Sequence, residues 1–217
     1  MSAERGLFIV FEGGDGAGKS TQVRRLAGWL TSRGVPVLLT REPGDTAVGD
    51  KIRDLVLDPG NTELAPRTEA LLYAADKAQH VNQVVLPALA AGTVVVCDRY
   101  VDSMLAYQGA GRVLSPAEVA GIADWATQGL RPDLTVLLDA STGDGVGAKR
   151  QRDRLEAEPD DFHDRVRQGF LDLAAADPDR YLVLPARDTR EQIERTVRGR
   201  VEALLGELSD PAGRVDP

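Results

Sequence analysis

Residues 13–21 read GGDGAGKST, between the apolar run LFIVF (7–11) and a stretch with helical spacing. Four glycines fall among residues 13–18. Gly13, Gly18, Lys19 and Ser20 fit the pattern Gly-x-x-x-x-Gly-Lys-[Ser/Thr], with Gly14, Asp15, Gly16 and Ala17 inside it and Thr21 directly after. Glycine allows positive φ, so successive amides can turn inward and form an anion nest at a helix N-terminus. In that setting the lysine reaches the β and γ phosphates of a nucleoside triphosphate, and the Ser20 hydroxyl binds Mg²⁺. The strand before and the helix after turn the pattern into a structural statement. They outweigh the plainer reading of a glycine turn that only packs strand on helix.

Outward from this loop the chain alternates. Nearly continuous apolar runs at 7–12, 35–40, 93–98, 134–139 and 181–186 predict strands buried on both faces of a parallel sheet. Helical spacing lies between them: Val23, Leu26, Ala27 and Leu30, then Val48, Ile52, Leu55 and Val56, then a long helical region over 67–91 redirected at Pro87. Ser115, Pro116 and Glu118 open another helix with a capping signature. Two more follow, on Phe162, Val166, Phe170 and Leu173, and on Ile193, Val197, Val201, Leu204 and Leu208. This alternation predicts an α/β fold of five parallel strands with helices on both faces. One domain over 1–208 is expected, with 209–217 an aperiodic tail.

The bulk numbers narrow the class. A net charge of -8 argues against broad binding to nucleic acid or anionic membrane, so a polyanion pocket must be basic locally. The lone cysteine, Cys97, cannot form an internal disulfide, which fits a reducing compartment. The longest apolar stretch, 84–97, is broken by Pro87 and Gly92, and the N-terminus shows no signal-peptide cleavage pattern. A soluble cytoplasmic protein is expected.

The loop alone does not name the acceptor of the phosphate. A guanine-reading Asn-Lys-x-Asp is missing, because Asn61 and Asn82 are the only asparagines and neither precedes lysine. A motor-type strand ending in Asp-Glu is missing too; the third strand ends VVVCDRY. Asp98 at that end can reach Mg²⁺, and Arg99 sets a cation beside an incoming phosphate. A structural Asp-Arg ion pair is the alternative.

FIVFEGGDGAGKSTQ (8–22), TREPGDT (40–46), EALLYAADKAQH (69–80), VCDRYVDSMLAYQGAGR (96–112) and DRLE (153–156) together resemble the bacterial thymidylate kinases. The likeness runs in order from residue 7 to about 205. It implies the three-layer P-loop kinase fold with strand order 2-3-1-4-5, and transfer of the ATP γ-phosphate to dTMP with Mg²⁺. It also implies a homodimer.

The resemblance distributes roles over the remaining residues. Lys19 and Arg99 act on the transferring group, and Asp15 faces the acceptor's sugar 3′-hydroxyl. A lid at about 141–158 brings arginines over the ATP phosphates; Arg150 and above all Arg154 are the candidates, since the glycine loop carries none. A solvated basic face is the alternative for KRQRDRLE (149–156), and the glycine-rich ASTGDGVGAK (140–149) departs from the family.

The acceptor pocket departs further. Tyr73 and Lys77, four apart on one helical face, stand where the family has Phe and Arg. Tyr keeps the stack on the base; Lys keeps a donor for a 4-oxo group but loses the planar fork. Ser103, Tyr107 and Gln108 match the family, with the tyrosine under the sugar and the glutamine near the base. Met104 replaces a polar reader of the base edge. Glu42, in the REPG turn (41–44), and Arg53 complete the set, Arg53 toward the acceptor phosphate. The two altered readers leave open a kinase for a 5-substituted pyrimidine deoxynucleotide, or a nucleotide-binding protein without transfer. A nucleoside kinase, with Glu12 or Asp15 as base, is a further alternative.

Overall fold

The structure is a computed structural model that describes residues 5–112, 114–141 and 153–209. Five parallel strands form one sheet: β1 (Phe8–Gly13), β2 (Val37–Arg41), β3 (Val94–Asp98), β4 (Leu134–Asp139) and β5 (Tyr181–Pro185). Their order is β2-β3-β1-β4-β5, as the family resemblance implies. The observed strands lie within a residue or two of the apolar runs, and 134–139 coincides. β1 is buried throughout, whereas the edge strands β2 and β5 are only partly so, because each has a neighbour on one side alone.

The pleat of β1 divides the core. Ile9 and Phe11 pack against Val23, Leu26 and Leu30 of α1 (Lys19–Ser32) and Ile193, Val197 and Val201 of α8 (Arg190–Ser209). Phe8 and Val10 face the other way, onto Val81, Val85, Leu89 and Tyr100. Burying each such side chain stabilises the fold by about 1.5–3 kcal/mol. A third cluster joins α2 (Ala47–Leu57), α3 (Pro66–His80), α6 (Pro116–Thr127) and α7 (Asp160–Ala176) through Val56, Tyr73, Val119, Phe162 and Phe170, with Tyr107 packed among them.

The long helical region differs from expectation in where it breaks. After α3 the chain widens into a π turn over Val81–Val85 before α4 (Leu86–Ala90) resumes. Pro87 lacks an N–H, and its ring would clash with a carbonyl four residues back, so the adjustment falls before the proline. A second π turn, Leu105–Gly111, follows the short α5 (Val101–Met104). No periodicity in the sequence announces it.

Strand register sets the site. Phe11 pairs with Asp98, Arg41 with Asp98 from the other side, and Gly13 with Leu138. The glycine loop and the Asp98-Arg99 pair therefore leave the sheet side by side, at the carboxyl ends of the strands. Residues 210–217, most of the expected tail, lie outside the described residues, as do 142–152 of the expected lid.

Candidate active site

The loop between β1 and α1 uses its glycines where side chains would fail. Gly13, Gly16 and Gly18 have φ of 132°, 78° and 93°, which side-chain-bearing residues rarely adopt. A Cβ on Gly13 would also stand 2.4 Å from the Leu138 carbonyl oxygen. α1 then begins at Lys19 with no side-chain cap and no acidic residue in its first turn. The amides of Lys19 and Ser20 are left for an anion, whereas those of Thr21 and Gln22 bond to the Gly18 carbonyl. The chain folds back so that the Lys19 Nζ donates to the Gly13 and Gly14 carbonyls at 2.9 and 2.7 Å. Burial, with Arg99 beside it, brings Lys19 down to about 8 against the pull of Asp15 and Asp98.

Ser20 and Asp98 meet, the hydroxyl donating to Asp98 Oδ2 at 2.6 Å. Two hard oxygen donors beside a phosphate nest suit Mg²⁺, which keeps waters and phosphate oxygens as most of its ligands. Among the described residues no three acidic, His or Cys side chains gather into a metal cage. Thr21 lies in the first turn, its amide on the Gly18 carbonyl at 3.1 Å.

Arg99 joins the loop to the neighbouring cleft. Its backbone has φ of 70°, a left-handed conformation costing about 1–2 kcal/mol for a side-chain-bearing residue. Its amide holds there on the Phe11 carbonyl at 2.9 Å. The guanidinium donates to Gly13 O at 3.1 Å, Ser103 Oγ at 3.0 Å and Asp15 Oδ1 at 2.7 Å. It lies over the Tyr107 ring, 5.2 Å from its centroid, and Tyr107 in turn donates to Asp15 Oδ2 at 3.0 Å. Burial works against the Asp15 charge, but Arg99 and Lys19 outweigh it and hold this carboxyl well below the usual range.

Beside Arg99 opens a cleft. Asp15, Glu42, Arg53, Tyr73, Lys77, Arg99, Ser103, Met104, Tyr107 and Gln108 all line it. Every residue the sequence assigned to the acceptor is thus in one place, joined by Pro43, Leu57, Asp153 and Leu155. Arg53 is tied to the REPG turn, donating to Pro43 O at 2.9 Å. The Lys77 Nζ donates to Glu42 Oε2 at 2.5 Å. Glu42 also meets His80 Nδ1 at 2.7 Å, and His80 Nε2 meets Thr40 Oγ1 at 2.6 Å. Glu42 is therefore the carboxylate that balances a buried lysine. Although burial opposes its charge, Lys77 and His80 keep it ionised, below the ordinary carboxylate range.

Two carboxylates took positions that sequence reasoning did not foresee. Glu12 is fully buried and accepts from the Tyr100 and Ser103 amides and the Ser103 hydroxyl. It holds the start of α5 and does not line the cleft. Glu69 is fully buried as well. It accepts from Gln108 Nε2 at 2.9 Å and from Arg112 Nε and Nη2 at 3.2 Å each, and it pairs with Arg154 at 2.5 Å. The signal was present: Glu69, Tyr73 and Lys77 recur every four residues on α3, so they share one face.

Arg154 stands on the acceptor side. Its Nε donates to Val56 O at 2.9 Å and its amide to Leu57 O at 3.2 Å. With the Glu69 pair these bonds turn the guanidinium toward α2 and α3, where none of its contacts is with the glycine loop. Arg150 lies outside the described residues.

Known proteins are similar to this chain over most of its length. The thymidylate kinase family model matches residues 11–197. A thymidylate kinase of Cutibacterium acnes is 62% identical over 200 residues, covering 92% of this chain and 98% of the relative. One from Clavibacter michiganensis subsp. michiganensis is 55% identical over 204 residues, covering 92% and 96%. The crystal structure of a thymidylate kinase from Ehrlichia chaffeensis superposes with a TM-score of 0.75 at 31% identity, covering 91% of this chain and 99% of that one.

Proposed function

The chain belongs to the thymidylate kinase family, and we infer that it transfers the γ-phosphoryl group of ATP to dTMP, giving dTDP and ADP. The observation that carries this reading is the double engagement of Arg99, bonded at once to the glycine loop at Gly13 and to the cleft at Ser103. One guanidinium can then touch the group as it leaves the donor and reaches the acceptor.

The reaction asks little covalent chemistry of the protein. The dTMP phosphate has a second pKa of about 6, so at neutral pH it is largely dianionic and needs no general base. One of its oxygens attacks the γ-phosphorus, and the bond to the bridging oxygen breaks, leaving its electron pair on ADP. The difficulty is holding two anions in line and spreading the charge. In our reading the amides of 13–21 and Lys19 hold the donor phosphates. Arg53 and Arg99 hold the acceptor phosphate, and Asp15 steers Arg99 and faces the sugar. Ser20 and Asp98 would hold Mg²⁺, which would supply charge neutralisation to the donor phosphates.

Tyr73 stacks on the base, Lys77 donates to its O4 and Tyr107 lies under the sugar. Glu42 serves this pocket by orienting Lys77, and Met104 closes it with an apolar wall. Arg154 ties Glu69 of α3 to the end of α2 in the arrangement described here; its expected contact with ATP would require release from Glu69.

No helix among the described residues is long and apolar enough to cross a membrane. We place the enzyme in the cytoplasm, with its nucleotide substrates. We also propose that it is a homodimer, through the apolar groove between α3 and α6 where Leu71 is 56% and Trp125 82% exposed. Sedimentation of the wild type and of Trp125→Glu tests this, with a monomeric wild type counting against it.

A coupled assay with MgATP and a panel of dTMP, dUMP, dCMP, the ribose form of TMP, 5-hydroxymethyl analogues and thymidine tests the function. Turnover of dTMP above the others is the expected result. Preference for a 5-hydroxymethyl analogue would favour the modified-pyrimidine reading, which Lys77 and Met104 motivate. Turnover of thymidine alone, or of nothing, would overturn the assignment.

A further inference from the structure

Gln108 sits on the π turn Leu105–Gly111, 1% exposed, with its Nε2 on Glu69. The partner decides which way the amide faces. Glu69 is ringed by the guanidinium groups of Arg112 and Arg154. Burial opposes its charge, but Gln108 and Arg112 hold its carboxyl below the ordinary value. An ionised carboxylate only accepts hydrogen bonds, so Gln108 must present its NH₂ there; a flip would set two oxygens against each other. The Gln108 Oε1 accepts nothing from the described residues and is not among the sealed, unpartnered buried atoms. It is left to the cleft that Gln108 lines.

The same cleft holds a donor whose polarity is equally fixed, the Lys77 ammonium on Glu42. Met104 lines it as well and offers no strong donor or acceptor. A pyrimidine with a 4-oxo group and a hydrogen on N3 presents one acceptor and one donor side by side. A 4-amino pyrimidine with a bare N3 presents the reverse.

We propose that Glu69 is a positioning residue for base selection: it locks the Gln108 amide with Oε1 toward the cleft, supplying the acceptor for N3–H beside the Lys77 donor for O4. This rests on the reading of the cleft as the acceptor site for a pyrimidine monophosphate.

The test is kcat/KM for dTMP and dCMP in the wild type, Glu69→Gln, Gln108→Met and the double variant. Gln108→Met keeps the side chain's length and apolar bulk, so it keeps the test open should Glu69→Gln fail to fold once Arg154 loses its carboxylate. Each single variant should lower the dTMP:dCMP ratio about tenfold or more, chiefly through the KM for dTMP. In the Gln108→Met background the further change Glu69→Gln should leave that ratio unmoved, because Glu69 acts through the amide. A merely structural Glu69 would lower both substrates together. Turnover of dTMP with an unchanged ratio in Gln108→Met overturns this proposal alone. No turnover of either pyrimidine by the wild type overturns the acceptor reading and this proposal with it.

Discussion

The Arg99 guanidinium lies 2.7 Å from the Asp15 carboxylate, so a residue of the phosphate loop and a residue of the cleft are bonded before any substrate arrives. Asp15 orients the cation and offsets its charge, and Tyr107 holds the other carboxylate oxygen. An arriving phosphate meets an arginine already aimed. Such preorganisation lowers the cost of ordering the transition state.

Arg99→Lys keeps the charge and loses the fork that reaches Gly13, Ser103 and Asp15 together. We expect kcat to fall about a thousandfold or more, with a smaller change in the KM for ATP. Steady-state kinetics with dTMP check this; a kcat within a few fold of wild type would remove Arg99 from the transferring group.

Ser20→Ala removes the hydroxyl that stands 2.6 Å from Asp98. The Mg²⁺ concentration for half-maximal rate should rise about tenfold, while the KM for dTMP stays put. A magnesium titration at saturating substrates reads this directly. An unchanged requirement would place the ion elsewhere.

Lys19 is held near 8 by burial, with Arg99 adding to it, against an ordinary value of 10.5. Contact with a triphosphate favours the charged amine and raises that value. Between the two pKa values binding must take up a proton, so ATP affinity should fall as pH rises from 8 to 9, by up to about tenfold per pH unit. Calorimetry in buffers of different ionisation enthalpy would show the uptake. Affinity flat from pH 7 to 9 would contradict it. The nucleotide-free fold responds in the opposite sense: the unfolded chain binds more protons between 8 and 10.5, so Lys19's contribution to stability improves as pH rises through that window.

Asp76 is buried, with Oδ1 on the Gly44 amide at 3.0 Å and Oδ2 without a hydrogen-bond partner. Burial and then the Glu42 charge push its carboxyl up to about 7 from 3.8. The folded state keeps a proton that the unfolded chain gives up between those values, so this group's contribution to stability is lost as pH rises through them. Asp76→Asn should therefore stabilise the protein by about 1–3 kcal/mol at pH 8, and by less than half as much at pH 5. Urea unfolding at both pH values checks the sign; destabilisation at pH 8 would contradict it.

Much of this was legible in the chain, and the limits are physical. The glycine loop carries its own geometry: positive φ at 13, 16 and 18 favours glycine, and the lysine that follows folds back onto the loop's own carbonyls. The strands were legible because central parallel strands are apolar on both faces. Side-chain partners were not. Glu42 meets Lys77 and Glu69 meets Gln108 across more than thirty residues, and such pairs depend on how α3 is rotated against β2 and the π turn. Arg154 shows the same limit. The family resemblance implied a phosphate for it, and only the packed fold shows a buried carboxylate beside it. The π turns at Val81–Val85 and Leu105–Gly111 follow no period a sequence displays, yet the second one carries Tyr107 and Gln108 to the cleft.

A crystal structure with a bisubstrate analogue, adenosine and deoxythymidine joined through a polyphosphate, tests the central claim most directly. The account predicts phosphates on the amides of residues 13–21 with Lys19, thymine between Tyr73, Lys77 and Gln108, and Arg99 on the phosphate between the two sites. An analogue seated elsewhere, or one that leaves Arg99 on Asp15 without touching the phosphate chain, would contradict it.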